Sequence, residues 1–225
     1  MKPPLHSASV AETTYDTIRD DIVAGRLKPG ERLKLERLRT RYGASVSTLR
    51  EILSRLASDG LVVAEGQRGF EVTPVSAGNL RELSDLRKLL ESTALELSFA
   101  AGDMDWEGRV VAAHHKLHQM EREMAAGNDA VRETWKRYDW EFHQALISAS
   151  GSRELATVHA GVFAKYVRYQ MLSLTFRGQP AVEEHRALLD AALSRDAATA
   201  RAVLARHIDG GVEHCLDAGA LDQAA

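Results

Sequence analysis

The strongest constraint on the fold is a change of pattern at Pro74. Before it, short apolar repeats are interrupted by Gly- and Pro-containing breaks. After it, apolar residues recur at three- and four-residue spacing almost to the end of the 225-residue chain. Proline has no amide proton and pushes Thr73 toward extended backbone, so Thr73-Pro74-Val75-Ser76 reads as a hinge. The pattern predicts a mainly α protein in two parts, residues 9–73 and 79–217, joined by a linker over 74–78. A leader over 1–8 and a small-residue tail over 218–225 flank them. The second part divides into about six helices forming an all-α bundle: 79–101, 104–126, 129–149, 152–174 with Gly161 as a break point, 181–194, and 196–217.

Residues 9–73 carry a helix-turn-helix followed by a hairpin, the order a winged helix requires. Ser9-Val10-Ala11-Glu12 has capping-box spacing, and the helix it opens presents Tyr15, Ile18, Ile22 and Val23 on one face until Gly25. Pro29-Gly30 sets a turn. Leu35–Tyr42 forms a short helix ended by Gly43, and Ser45 caps a second that runs to about Asp59. In that second helix Leu49, Ile52, Leu53 and Leu56 repeat at i, i+3, i+4, i+7 and face a core. Ser45, Ser47, Thr48, Arg50 and Ser54 lie at its start and on its free face. Small side chains let such a helix enter a major groove, where Arg50 can reach a guanine edge or a phosphate. Residues 61–65 and 69–72 read as strands around Gly66-Gln67-Arg68-Gly69, a wing with Arg68 at its tip. Residues 26–50 hold 8 basic side chains against 2 acidic, in a chain of formal net charge −3. That balance excludes a nonspecific nucleic-acid coat and fits a small DNA reader on an acidic body, although a solvated charged helix gives the same count.

Metal-ligating residue types concentrate in the helical part. Asp139 and His143, four apart, sit about 40° from each other around a helix and one turn apart along it. His185 lies in the helical run Ala181–Leu193 and His207 in Ala197–Ile208, with Ser194-Arg195-Asp196 reading as a tight turn between them. His185 precedes Asp196 by 11 residues (196 − 185) and His207 follows it by 11 (207 − 196), so an antiparallel hairpin sets both imidazoles at one height. Three imidazoles and one carboxylate suit a divalent transition ion, zinc first with nickel or manganese as alternatives, better than calcium or magnesium. A lone helical histidine is more often a satisfied core residue; the matched spacing of four residues is what points to a site. His114 and His118 are also i, i+4, with His115 beside them, but Lys116, Gln119, Glu121 and Arg122 make that stretch read as a solvated face. His159 and His214 are candidates to stand behind the ligands, with His214 favoured because it follows His207 by two turns.

The run from Gly30-Glu31-Arg32-Leu33 through Val46-Ser47-Thr48-Leu49-Arg50-Glu51-Ile52-Leu53 to Gly69-Phe70-Glu71-Val72 resembles the winged helix of the GntR family of bacterial transcription regulators. The helical remainder resembles the FCD effector domain of the FadR-like branch, and Asp139-x-x-x-His143, Glu184-His185 and Arg206-His207 match its metal-binding subset. Within that branch the arrangement is most similar to regulators of carbon starvation and dicarboxylate metabolism. The resemblance implies a homodimer that binds a short palindromic operator through two winged helices and responds to a small carboxylate metabolite. Val46 and Thr48 stand where the family often has Arg and Pro, and Ser152 where it often has Asn, so operator and effector contacts do not transfer wholesale.

Arg87 shares a helix face with Leu80, Leu83, Leu90 and Ala94, an unusual place for a guanidinium without a partner. Glu91 at i+4 is one candidate partner, and an effector carboxylate held in bidentate fashion is the other. Arg168 and His214 are further effector candidates. The expected mechanism has an effector bind beside the ion and, through the Pro74 linker, reorient the winged helices; an ion that only ties three helices together is the alternative. A metalloenzyme of small organic acids and a metal-sensing repressor compete with this reading. Against the enzyme, no general base in a His-Glu-x-x-His arrangement is present, no catalytic residue emerges, and the wing goes unexplained. The metal sensor is distinguished by whether operator affinity follows the ion or a metabolite. Cys215 is the only cysteine, so no intrachain disulfide forms, and the reducing cytoplasm is the expected compartment. No segment reads as a signal peptide or a membrane span.

Overall fold

A computed structural model describes residues 10–64, 66, 69–173, 176–219 and 221. The leader, the Ser9 cap, Arg68 and most of the tail lie outside the described residues. Among the described residues the chain divides into two units, one ending at Ser76 and the other spanning Ala77–Ala220.

The first unit contains α1 (Val10–Val23), α2 (Leu35–Tyr42), α3 (Val46–Ser58), β1 (Val62–Ala64) and β2 (Phe70–Val72). Helix α2 ends where Gly43 takes φ +68°, a left-handed cap in which its amide donates to Arg39 O. Helix α3 begins at Ser45, whose hydroxyl accepts from the Thr48 amide at 3.2 Å. The predicted apolar face of α3 is the core: Leu49, Ile52, Leu53 and Leu56 are buried against Ile18, Ile22, Leu38, Leu61 and Val72. Strands β1 and β2 pair antiparallel in the register Val62↔Val72, Val63↔Glu71, Ala64↔Phe70. The stretch after Pro29-Gly30 is more than a turn: Leu33 N donates to Phe70 O and Val72 N to Glu31 O, which adds a third short edge to the hairpin. Asp21 ties α1 to α2, accepting from Arg26 Nε at 2.6 Å, Arg41 Nη2 at 2.5 Å and Tyr42 Oη at 2.6 Å.

The second unit is helical: α4 (Ala77–Ala101), α5 (Met104–Ala125), α6 (Arg132–Ile147) after a 3-10 turn at Asp129–Val131, α7 (Arg153–Ser173), α8 (Gln179–Leu193) and α9 (Ala197–Asp217). Helix α7 runs unbroken through Gly161, since burial of Val162 and Phe163 beside it offsets the local cost of a helical glycine. Pro180 falls inside the first turn of α8, where a missing amide proton costs nothing, so the helix starts two residues earlier than the sequence pattern indicates. Asp196 caps α9 by accepting from Thr199 N at 2.9 Å. Helix α5 packs on α6 and α8, while α4 packs on α7 and α9. The facing sides of α4, α6, α8 and α9 therefore meet in the interior.

Candidate metal centre and DNA-reading face

Asp139 and His143 on α6, His185 on α8 and His207 on α9 converge in that interior. One donor atom from each lies within 4.8 Å of all the others, and all four residues are buried. His185 Nε2 is 3.3 Å and His143 Nε2 3.9 Å from Asp139 Oδ1. Ligands held about 2.0–2.1 Å from a tetrahedral ion stand roughly 3.4 Å apart, so the His185–Asp139 pair is already at ligand spacing and the widest pairs close by about 1.4 Å (4.8 − 3.4) to form a coordination shell. His185 Nε2 is buried, and Asp139 Oδ1 at 3.3 Å is its polar neighbour in the cluster. A buried imidazole nitrogen so placed fits the lone pair of a metal ligand. The residues therefore fit a divalent transition ion.

Three glutamates that the sequence pattern leaves in the background stand behind the three histidines. Glu121 on α5 is 2.6 Å from His185 Nδ1, and Glu184 on α8 is 3.0 Å from His207 Nδ1. Glu91 on α4 contacts His143 Nδ1 and accepts from His159 Nε2 at 3.1 Å. Each carboxylate engages Nδ1 and thereby leaves Nε2 for the cluster, the arrangement that orients imidazoles toward a metal. Two of these acids carried a sequence signal, Glu91 at i+4 from Arg87 and Glu184 beside His185, whereas Glu121 read as part of a solvated face. His159 therefore supports the cluster through Glu91, whereas His214 is half-buried and does not line the adjoining cavity.

Charge is balanced locally. Burial opposes ionisation of Glu91, but Arg87 and His143 outweigh it and hold its carboxyl well below the usual range. Burial likewise opposes ionisation of Asp139, and Lys136, His185 and His143 hold it well below as well. Burial alone would lower His185, yet the flanking Asp139 and Glu121 carboxylates raise it to about 9. His207 is driven well below its ordinary value by burial and by the charge of His185. An imidazole cannot bind a metal through a protonated nitrogen, so ion binding at His185 releases a proton.

Arg87 is buried, and its Nε donates to Glu91 Oε2 at 2.8 Å, the nearer of its two expected partners. Its Nη2 lies 3.2 and 3.3 Å from the two ring nitrogens of His143, and the guanidinium packs over Phe163 and Tyr166. Arg168 is buried on α7 but is not among the residues lining the cavity. That cavity, of about 30 Å³, is bounded by Asp139, His185 and His207 together with Lys136, Gln170 and Arg177. His114 departs from the solvated-face reading. It is buried, stacked beside the half-exposed His118, and burial pushes its imidazole down to about 4.

In the first unit, Ser45, Ser47, Arg50 and Ser54 are exposed along the start and free face of α3, and Thr48 is partly covered. The hydroxyl of Ser45 lies 2.8 Å from those of Ser47 and Thr48. Arg68 falls outside the described residues.

The chain matches two family models: bacterial regulatory proteins of the gntR family over residues 10–72, and the FCD domain over residues 82–210. It is 38% identical over 213 residues to the HTH-type transcriptional regulator BphR of Paraburkholderia xenovorans, covering 93% of this chain and 86% of that one. It is 30% identical to the HTH-type transcriptional repressor GlaR of Escherichia coli K12, covering 86% and 90%. E. coli McbR/YncC shares the fold with a TM-score of 0.79 at 20% identity, covering 94% of this chain and 99% of that one. A GntR regulator from Rhodococcus sp. RHA1 does so with a TM-score of 0.75 at 22% identity, covering 93% and 99%. No helix among the described residues is long and apolar enough to cross a membrane. With a helix-turn-helix and wing at one end and an FCD domain in the remainder, the chain belongs to the GntR family of bacterial transcription regulators.

Proposed function

We propose that this regulator is a repressor that binds a divalent transition ion at Asp139, His143, His185 and His207, and whose operator affinity changes when a small carboxylate metabolite enters the adjoining cavity. The observation that carries the reading is the convergence of those four donors, each imidazole backed by a glutamate, in the body of a chain that also holds a winged helix. A divalent ion held by these four residues would supply a fixed positive charge that draws a carboxylate toward the cluster.

The protein's own residues do the rest. Glu91, Glu121 and Glu184 orient the imidazoles, and Lys136 neutralises Asp139 from 3.5 Å. Arg87 and Glu91 place the cluster's charge on α4, the first helix after the Pro74 linker, so a rearrangement at His143 is felt along α4. For regulation, the acid must bind the operator-competent and incompetent arrangements with different affinity. Repression is supported by the name of GlaR. A homodimer is supported by Leu86, Leu89 and Leu97, which leave an apolar stripe exposed along α4 that a second copy can cover.

Selection of an operator from random duplex DNA, followed by binding measurements with and without a chelator and organic acids, tests the proposal. Arg50→Ala should weaken operator binding by about 1–3 kcal/mol and relax preference at the bases it reads. Operator affinity indifferent to both chelator and acids would rule out the sensory role, and affinity that follows the ion alone would favour a metal sensor.

A further inference from the structure

Two cations line the cavity beside the cluster, Lys136 and Arg177, and the second is not one of the arginines that stand out in the sequence. Arg177, from the segment between α7 and α8, places Nη1 3.4 Å from Glu184 Oε1. Its Nη2 contacts Glu184 Oε2 and lies 3.1 Å from His207 Nδ1. Its side chain is 16% exposed, against 1% for Arg87. Lys136 is committed to Gln170 Oε1 at 2.8 Å and to Asp139.

A second observation concerns α9, which carries Gly210 in its interior, where glycine is unfavourable. A Cβ built on Gly210 would overlap Nη1 of Arg177. The missing side chain makes a slot for the guanidinium. The third observation is at His207. Nδ1 lies 3.0 Å from Glu184 Oε2; were Nε2 to ligate an ion, Nδ1 would carry the proton and donate to that carboxylate. Arg177 Nη2, aimed at that same Nδ1, then has no acceptor there. A carboxylate oxygen arriving in the cavity supplies one.

We propose that Arg177 receives the carboxylate of a small organic acid in this cavity, exchanging part of its Glu184 pairing for it, with Gly210 setting where the guanidinium fork is presented. The assignment rests on the effector-site reading above and names its anion receptor. One water needs about 10–15 Å³ by this measure, so the cavity of about 30 Å³ holds two or three waters and is smaller than an acid such as succinate. Entry of an acid and displacement of Arg177 are therefore one event.

Acetate and succinate titrations of the full chain, followed by calorimetry and thermal shift in zinc-containing buffer, test this on wild type, Arg177→Ala, Arg177→Lys and Gly210→Ala. Bound metal and circular dichroism report the fold independently of the acid. Wild type should bind at least one acid. Arg177→Ala should bind it about 10–100-fold more weakly with unchanged metal content, and Arg177→Lys should fall between, keeping charge without the fork. Gly210→Ala meets only the far end of a flexible side chain, so it should melt no lower than wild type and still bind the acid several-fold more weakly. Equal binding by wild type and Arg177→Ala overturns the assignment and leaves the effector site standing. A wild type silent to both acids removes the effector site and the assignment together. Should Arg177→Ala fail to fold, wild-type acid binding by Gly210→Ala overturns the assignment instead.

Discussion

Asp139→Asn isolates the single anionic donor of the cluster with the smallest change of shape. Structural zinc sites with four protein ligands bind with about 10–16 kcal/mol, so an equal share is about 2.5–4 kcal/mol per ligand. At about 1.4 kcal/mol per decade that is a 10²–10³-fold loss. The amide oxygen of Asn remains a weak donor, which places the expected loss near the lower end, about 100-fold. The consequence for melting follows from linkage. With free zinc at 100 times the wild-type dissociation constant, wild type gains about 2.7 kcal/mol, whereas a variant binding 100-fold more weakly gains roughly 0.4 kcal/mol. The second unit spans residues 77–220, which is 144 residues (220 − 77 + 1). A chain segment of that size melts about 2–4 °C higher per kcal/mol. Zinc should therefore raise the melting temperature by about 5–11 °C in wild type and by about 1–2 °C in Asp139→Asn. Competitive titration against a chromophoric chelator gives the affinities directly. Equal zinc responses in the two proteins would refute the assignment of Asp139 as a ligand and the argument built on its distances to His143 and His185.

Three further outcomes are expected. Glu121→Ala leaves His185 Nδ1 without its carboxylate and should weaken metal binding about 10–100-fold, read by the same chelator competition; unchanged affinity would show that the Glu121 contact does not orient the ring. In the first unit, burial raises the Asp21 carboxyl, but Tyr42, Arg26 and Arg41 outweigh it and hold it below its ordinary value. A depressed folded value means the unfolded chain binds the proton more readily, so this stabilisation is present above about pH 4 and lost as pH falls further through the folded value. Arg26 and Arg41 are partly solvated, so Asp21→Asn should cost only about 1–2 kcal/mol at pH 7. It should also flatten the acid dependence of amide exchange at Ile18 and Ile22; an unaltered pH profile would discount the Asp21 contacts. Leu89, 65% exposed on α4, should tolerate Glu in the monomer but dissociate the proposed homodimer by sedimentation analysis; a Leu89→Glu dimer of wild-type stability would place the interface elsewhere.

Much of the architecture was legible in one dimension because its signals are local. Helical spacing in α3 marked Leu49, Ile52, Leu53 and Leu56 as core, and a serine cap and a left-handed glycine marked the ends of the reading helix and its predecessor, whereas α4 begins at Ala77, inside the linker expected over 74–78. The hairpin argument around Asp196 also brought His185 and His207 to one height, since two helices joined by a tight turn must run antiparallel. The same local rules misjudged Pro180, which a helix tolerates in its first turn, and Gly161, which packing on α7 overrides.

What the sequence by itself determined, then, was a winged helix, a helical body, and which side chains could share an ion. Tertiary structure alone decided who stands behind and beside them. Glu91, Glu121 and Glu184 lie on three different helices, and no periodicity within any one of them shows that each meets an imidazole from α6, α8 or α9. Arg87 stood out because it broke an apolar face, yet packing gave it to Glu91; Arg177 breaks no pattern and reaches the cavity beside Gly210, which follows it by 33 residues (210 − 177). Spacing along a chain reports what one helix can present on one face, whereas the field at a buried site is set by which faces the bundle turns toward each other.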